Sequence, residues 1–331
     1  MRMTYEEFKN EIAKNTESFL PKELKGAAVE FRRNEKLNHS YDALVVHVPG
    51  EAISAALDIG AVYERHKDEP FEAALEELKT SAANLRLEHV AKVSGNGFDM
   101  TRFEKVKDNL YIRCSNADRN REVLETCPHL EQNGLAMTVH IGLDWEEGDT
   151  PSYSTPVIDA LVDIWGISEK DLFDAAIENS AKRMPASFRS LSEVISEMMG
   201  GVPAPEAGPD LYVLTNTITS YGASAVYYPG MLEKAHEQLG DFYMLPSSIH
   251  EWLLLSDDTA HDISSLEDMV RSINRTEVAD EDVLSDDVYH FDGTRMELAR
   301  TYEARMEATK DAIRTNGNGY EVPEPDKAVT M

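Results

Sequence analysis

Apolar positions along the chain change period several times, and each change marks an element. Tyr5, Phe8, Ile12 and Phe19 recur at helical spacing behind Thr4, a residue suited to capping the first backbone N–H groups. A helix is therefore predicted from Thr4 to Leu20, stopped by Pro21. From Ala27 the period falls to two. Val29 and Phe31 alternate with polar neighbours and the run at 43–48 is β-branched, which predicts strands. Pro70 opens a second helix with Phe71, Ala74, Leu75 and Leu78 on one side, and strand-like runs follow at 109–114 and 135–143.

Three helices are then predicted close together. Thr155 reads as a cap with Pro156 in the first turn and Gly166 as the stop; Ser168 and Asp171 have capping-box spacing for the second; the third runs from Ser187 through Phe188, Leu191, Val194 and Ile195 to Met198. The stretch 200–209 holds three glycines and three prolines, which neither a helix nor a central strand tolerates. Beyond it, 211–217, 223–228, 242–245, 252–255 and 288–291 read as strands. Helices are expected at 231–239, ended by Gly240, and after Ser264 or Ser265. A long charge-laced helix is expected from Thr294 to Arg314, with Leu298, Tyr302, Met306 and Ile313 along one thin stripe.

These elements add up to an α+β protein of two domains, with mixed, mainly antiparallel sheets flanked by helices. An N-terminal domain over 1–199 ends in three helices, a Gly/Pro-rich linker covers 200–210, a C-terminal domain spans 211–314, and 315–331 is a flexible tail. A length of 331 residues agrees with two domains at about 150 residues each. The long terminal helix is expected to dock on its own domain rather than on a partner.

Composition narrows the function classes. Sixty-one acidic side chains against 32 basic ones leave −29 at pH 7, a surface that repels nucleic-acid backbones and anionic membranes. The two cysteines, Cys114 and Cys127, are too few for a disulfide framework and read as free thiols of a reducing cytoplasm. No secretory signal and no apolar run of spanning length is expected, so Asn38-His-Ser and Asn274-Arg-Thr are not read as glycosylation sites.

Candidate chemistry concentrates in one block, Leu245-Pro-Ser-Ser-Ile-His-Glu251. Ser247 or Ser248 beside His250 and Glu251 suggests a nucleophile, a base and an orienting carboxylate. The competing reading is local, since Ser248 and Glu251 have the spacing of a capping box after Pro246, and in an extended segment His250 and Glu251 fall on opposite faces. Asn216, Tyr221, Gly222 and Tyr228 form a polar-aromatic group that could line a pocket. No metal motif is present: Cys127-Pro-His129 is a lone pair of ligands, and the acidic run 280–287 lacks the residues a calcium loop requires. Gly95-Asn-Gly97 is read as a turn rather than a nucleotide loop. No cofactor is expected.

Several blocks together resemble a bacterial domain-of-unknown-function family, number 5688. They are Leu211–Asn216, Gly222–Gly230, Asp241–Glu251 and Leu284–Tyr289, joined upstream by Trp165–Leu172, Ala176–Asn179, Asn120 and Cys127-Pro-His129. The resemblance covers most of residues 1–292, implies a cytoplasmic bacterial protein, and supplies no activity and no site residue. The function expected on these grounds is a non-enzymatic interaction or binding protein with an unknown protein partner, in one version a nucleic-acid mimic; the alternative is a hydrolase or small-molecule-binding enzyme using the Ser-Ser-x-His-Glu segment.

Overall fold

The computed structural model describes residues 3–24, 26–47, 55–84, 99–143, 145, 148–151, 153–203, 210–258 and 261–317. The first helix, Tyr5–Phe19, starts as its sequence dictates: Thr4 Oγ1 accepts from the Glu7 N–H and the Glu7 carboxylate accepts from the Thr4 N–H, a complete capping box. Its buried face (Phe8, Ile12, Phe19) packs with the helices Ile59–His66 and Phe71–Asn84 against a three-stranded antiparallel sheet, β1 (Ala28–Lys36), β2 (His39–His47) and β3 (Ala55–Asp58). β3 and the helix Ile59–His66 have no counterpart in the periodicity reading, because four-residue strands and two-turn helices are shorter than the window a period needs.

A second sheet follows. β4 (Leu110–Asn116) and β5 (His129–Gln132) flank β6 (Leu135–Leu143), and β7 (Tyr153–Pro156) completes the sheet on β6. Leu110, Ile112 and Cys114 face Leu135, Met137, Val139 and Ile141 in the largest core, covered by the helix Glu169–Arg183. A third, six-stranded sheet has the order β13-β12-β10-β11-β9-β8, built from β8 (Ala186–Ser190), β9 (Leu211–Asn216), β10 (Phe242–Ser248), β11 (Glu251–Ser256), β12 (Tyr289–Phe291) and β13 (Met296–Leu298). Every pair is antiparallel, which makes the α+β class plain. Trp252 lies at the centre, fully buried, edge-on to Tyr289 at 5.3 Å, with its indole N–H on the Ala223 carbonyl at 2.9 Å.

Several elements differ from the sequence reading, each for a reason of tertiary pairing. Thr155 and Pro156 are not the cap and first turn of a helix. They end β7, where a proline at the strand terminus removes no needed N–H, and the helix begins at Asp159 after Ile158. Ser187–Ser190 belong to β8 rather than to the third helix, and Ser190 caps the helix Leu191–Met198 in a capping box with Glu193. Residues 222–227 form a buried 3-10 helix rather than a strand, since glycine, alanines and a serine let the backbone press against β9, β11 and β4. Asp262, not Ser264 or Ser265, caps the helix Ile263–Thr276. The terminal helix begins at Ala299, because Met296–Leu298 are taken up by β13 pairing with β12.

The glycine/proline stretch at 200–210, whose residues 204–209 lie outside the described ones, connects neighbours. β8 on one side of it pairs with β9 on the other, and the largest core takes residues from both sides, from Val106 to Met296. Along the chain, the cluster that runs from Phe8 to Ala82 ends before Val106, the first residue of the largest core. Gly95-Asn-Gly97 and residues 318–331 lie outside the described residues, and no described helix is long and apolar enough to cross a membrane.

Candidate functional site

The Ser-Ser-x-His-Glu block is a β-hairpin. β10 ends at Ser248 and β11 begins at Glu251, so Ile249 and His250 are the two residues of the turn, and an irregularity between Pro246 and Ser248 puts Ser247 out of register. No helix starts here and no capping box forms. Ser248 Oγ instead accepts from the His250 backbone N–H at 3.0 Å, closing the turn locally, and Ser247 Oγ donates to Glu251 Oε1 at 3.0 Å. Neither serine hydroxyl is bonded to the imidazole.

His250 looks the other way. Its Nδ1 accepts from the Tyr221 backbone N–H at 3.0 Å, which leaves the proton on Nε2, facing Asp282 Oδ1 at 3.3 Å. Both ring nitrogens are engaged, so the imidazole has no free lone pair for a serine proton. The His250 carbonyl accepts from Thr215 Oγ1 at 2.7 Å, and the Ile249 N–H donates to the Asp282 carbonyl at 2.8 Å. The turn is thereby tied to the end of β9 and to the 3-10 turn Asp280–Asp282.

Asn216, Tyr221 and Tyr228 do not share one cavity wall. Asn216 is fully buried and folds the loop after β9: its Oδ1 accepts from the Ile218 and Ser220 N–H groups, and its Nδ2 donates to the Ser220 carbonyl. Thr219 and Tyr221 are held at positive φ, 52° and 54°, a conformation most side chains avoid. Tyr228 is buried in the largest core, where desolvation pushes its phenol up to about 12.

A cleft of about 480 Å³ opens beside this latch. Arg33, Asn38, His39 and Ser40 of the β1–β2 hairpin form one wall, Asp118–Val123 a second, and Asp280 the third. Two asparagines join the walls. Asn38, in the left-handed conformation at the hairpin tip, exchanges hydrogen bonds with the Asn120 side chain and donates to the carbonyls of Glu281 and Val283. Arg119 donates to the Asp280 carbonyl and is paired with its carboxylate; Arg121 is paired with Glu131 and Asp118. The lining is polar and carries both signs of charge.

The acidic run at 280–287 is thus part of the framework: Asp280 and Asp282 hold Arg119 and His250, while Asp286 accepts from Asn274 at 2.8 Å. Both cysteines are free and buried; desolvation pushes the Cys114 thiol up to about 12, far from a reactive thiolate. No group of three or more metal-ligating side chains occurs among the described residues.

Of the cleft residues, Asn120, the Asn38-His-Ser triplet and Asp280 of the acidic run stand in stretches singled out above, none of them as a site, and Arg33, Arg119 and Arg121 carried no signal. The arginines come from segments 80 and more residues apart in sequence, and Asp282 stands 32 residues from the histidine it holds. A family of unknown function (DUF5688) matches residues 5–293. No curated protein and no solved structure matches the chain.

Proposed function

The chain belongs to that family of unknown function, and we propose from its own geometry that it is a non-enzymatic binding protein, taking a small polar ligand in the cleft between the β1–β2 hairpin, residues 118–123 and Asp280. One observation carries the reading: a cleft of about 480 Å³ on which guanidinium, imidazole, amide and carboxylate groups converge from three separate segments. That size suits a small molecule, and mixed charge suits one with both donors and acceptors. The His250 latch supports it indirectly, because it fixes the 280–282 turn that forms the third wall. Buried free thiols at Cys114 and Cys127 agree with a cytoplasmic protein.

The macromolecular version, an acidic surface imitating nucleic acid toward a basic partner, rests on the net charge of −29 alone. The hydrolase alternative requires the His250 ring to leave both its partners.

Saturation-transfer NMR on the full chain tests the proposal, with amino acids, nucleoside monophosphates and monosaccharides as probes. At least one class is expected to bind, and Arg119→Ala to weaken it about tenfold or more, the cost of one charge-assisted hydrogen bond. Failure of every probe, or binding untouched by both Arg119→Ala and Arg121→Ala, removes the reading. Turnover of any ester or amide that disappears in a folded His250→Ala variant would put the hydrolase in its place.

A further inference from the structure

β4 and β6 share a second face that is buried yet polar. Tyr111, Arg113 and Ser115 stand directly opposite His140, Thr138 and Ala136; Arg113 is half-buried and the other five are buried. Two atoms on this face, His140 Nδ1 and Ser115 Oγ, have no hydrogen-bond partner among the described residues. Desolvation, with the nearby Arg113 charge second, holds His140 well below its usual range, so the imidazole is neutral and Arg113 carries the charge of this face.

Arg113 is held on two sides. Nε and Nη2 donate to the Tyr111 hydroxyl, Nη2 also reaches Ser154 Oγ at 2.8 Å, and Cζ lies 3.7 Å from the centre of the Tyr221 ring. Among the described residues these contacts leave both Nη1 donors without an acceptor and the cation without a carboxylate, in a chain of net charge −29. Many of the other arginines have found an acid. The ring that pins the guanidinium belongs to Tyr221, whose left-handed backbone is maintained by the Asn216 loop and by His250. Strain of that kind persists only where the surroundings over-determine it, and here it positions an aromatic ring over a cation.

We propose that Arg113 is the anchor of a second ligand site, sharing no lining residue with the cleft, that binds a carboxylate group through Nη1. The fork of a guanidinium matches a carboxylate, and Tyr111, Ser154 and Tyr221 have already fixed its orientation. A monoanion is favoured over phosphate because the field of the whole chain opposes a dianion about twice as strongly.

The test is a titration of the full chain, labelled in arginine side chains, with sodium acetate at constant ionic strength, following the Arg113 Nε–H resonance. Acetate is expected to shift it saturably and inorganic phosphate to bind more weakly. Arg113→Lys loses the fork and weakens acetate about tenfold, read by competition calorimetry. Tyr221→Gly keeps the left-handed backbone, removes the ring and weakens acetate about fivefold, so it decides the matter even where Arg113→Lys does not fold. Arg119→Lys leaves acetate binding unchanged, which separates this site from the cleft. A shift that never saturates, affinity equal in Tyr221→Gly, or phosphate binding tighter than acetate overturns the proposal.

Discussion

Gly222 has no room for a side chain. A Cβ there would lie 2.2 Å from Thr215 Oγ1, 2.5 Å from the His250 carbonyl and 2.7 Å from the Asn216 N–H nitrogen, two of them backbone atoms that cannot swing aside. Gly222→Ala is expected to cost about 3 kcal/mol of unfolding free energy in urea, at the upper end for overpacking a tight site; a loss under about 1 kcal/mol would mean that the loop yields. The same neighbourhood explains why single residues here carry little sequence signal. Asn216 looks like one more polar residue after a strand, and only the loop it folds reveals that its amide serves three backbone groups. The Ser-Ser-x-His-Glu block has the opposite history: it stands out in sequence as chemistry, and its hydrogen bonds close a turn.

Among elements, the His250–Asp282 contact joins the β10–β11 hairpin to the 3-10 turn that forms one wall of the cleft. Both side chains are about a third exposed, so solvent screens the pair. A double-mutant cycle of His250→Ala and Asp282→Ala should give a coupling of about 0.5–1 kcal/mol. His250→Ala alone should cost about 1–2 kcal/mol, because the Tyr221 N–H also loses its acceptor. Zero coupling in urea unfolding would remove the latch from the account of the cleft. Local rules predicted the ends of many elements correctly: Thr4 as the cap of the first helix, Gly166 as the stop of another, and Ser168 capping with Asp171 all follow from residues a few positions apart. They failed at 155–156, 187–190 and 223–228, where a distant strand or a tight packing site outweighed helix or strand preference.

At the scale of the whole molecule, burial of His140 couples stability to pH. Its folded-state pKa lies well below the ordinary 6.5 because the ring is desolvated. The unfolded chain therefore takes up a proton near pH 6.5 that the folded chain refuses. This contribution is fully present above about pH 6.5 and is lost as pH falls, by up to ~1.4 kcal/mol per pH unit until the folded pKa is reached. His140→Gln should flatten the dependence between pH 6.5 and 5 in urea titrations; an unchanged slope would show that the ring is charged in the fold. The net charge acts on top of this as general self-repulsion that salt screens.

The sequence alone determined what is local or summed over the chain: the α+β class, the positions of most helices and strands, caps such as Thr4 and Ser168, the excess of acid, and the kinship over residues 5–293 that its motifs already suggested. Tertiary structure alone decided everything that needs distance in sequence to become distance in space. It brought Asn38 to Asn120, Arg119 to Asp280, His250 to Asp282 and Tyr221 over Arg113. A hydrophobic period says which face of an element is buried and not which other element covers it. The cleft and the stacking of Tyr221 on Arg113 arise where covering elements meet.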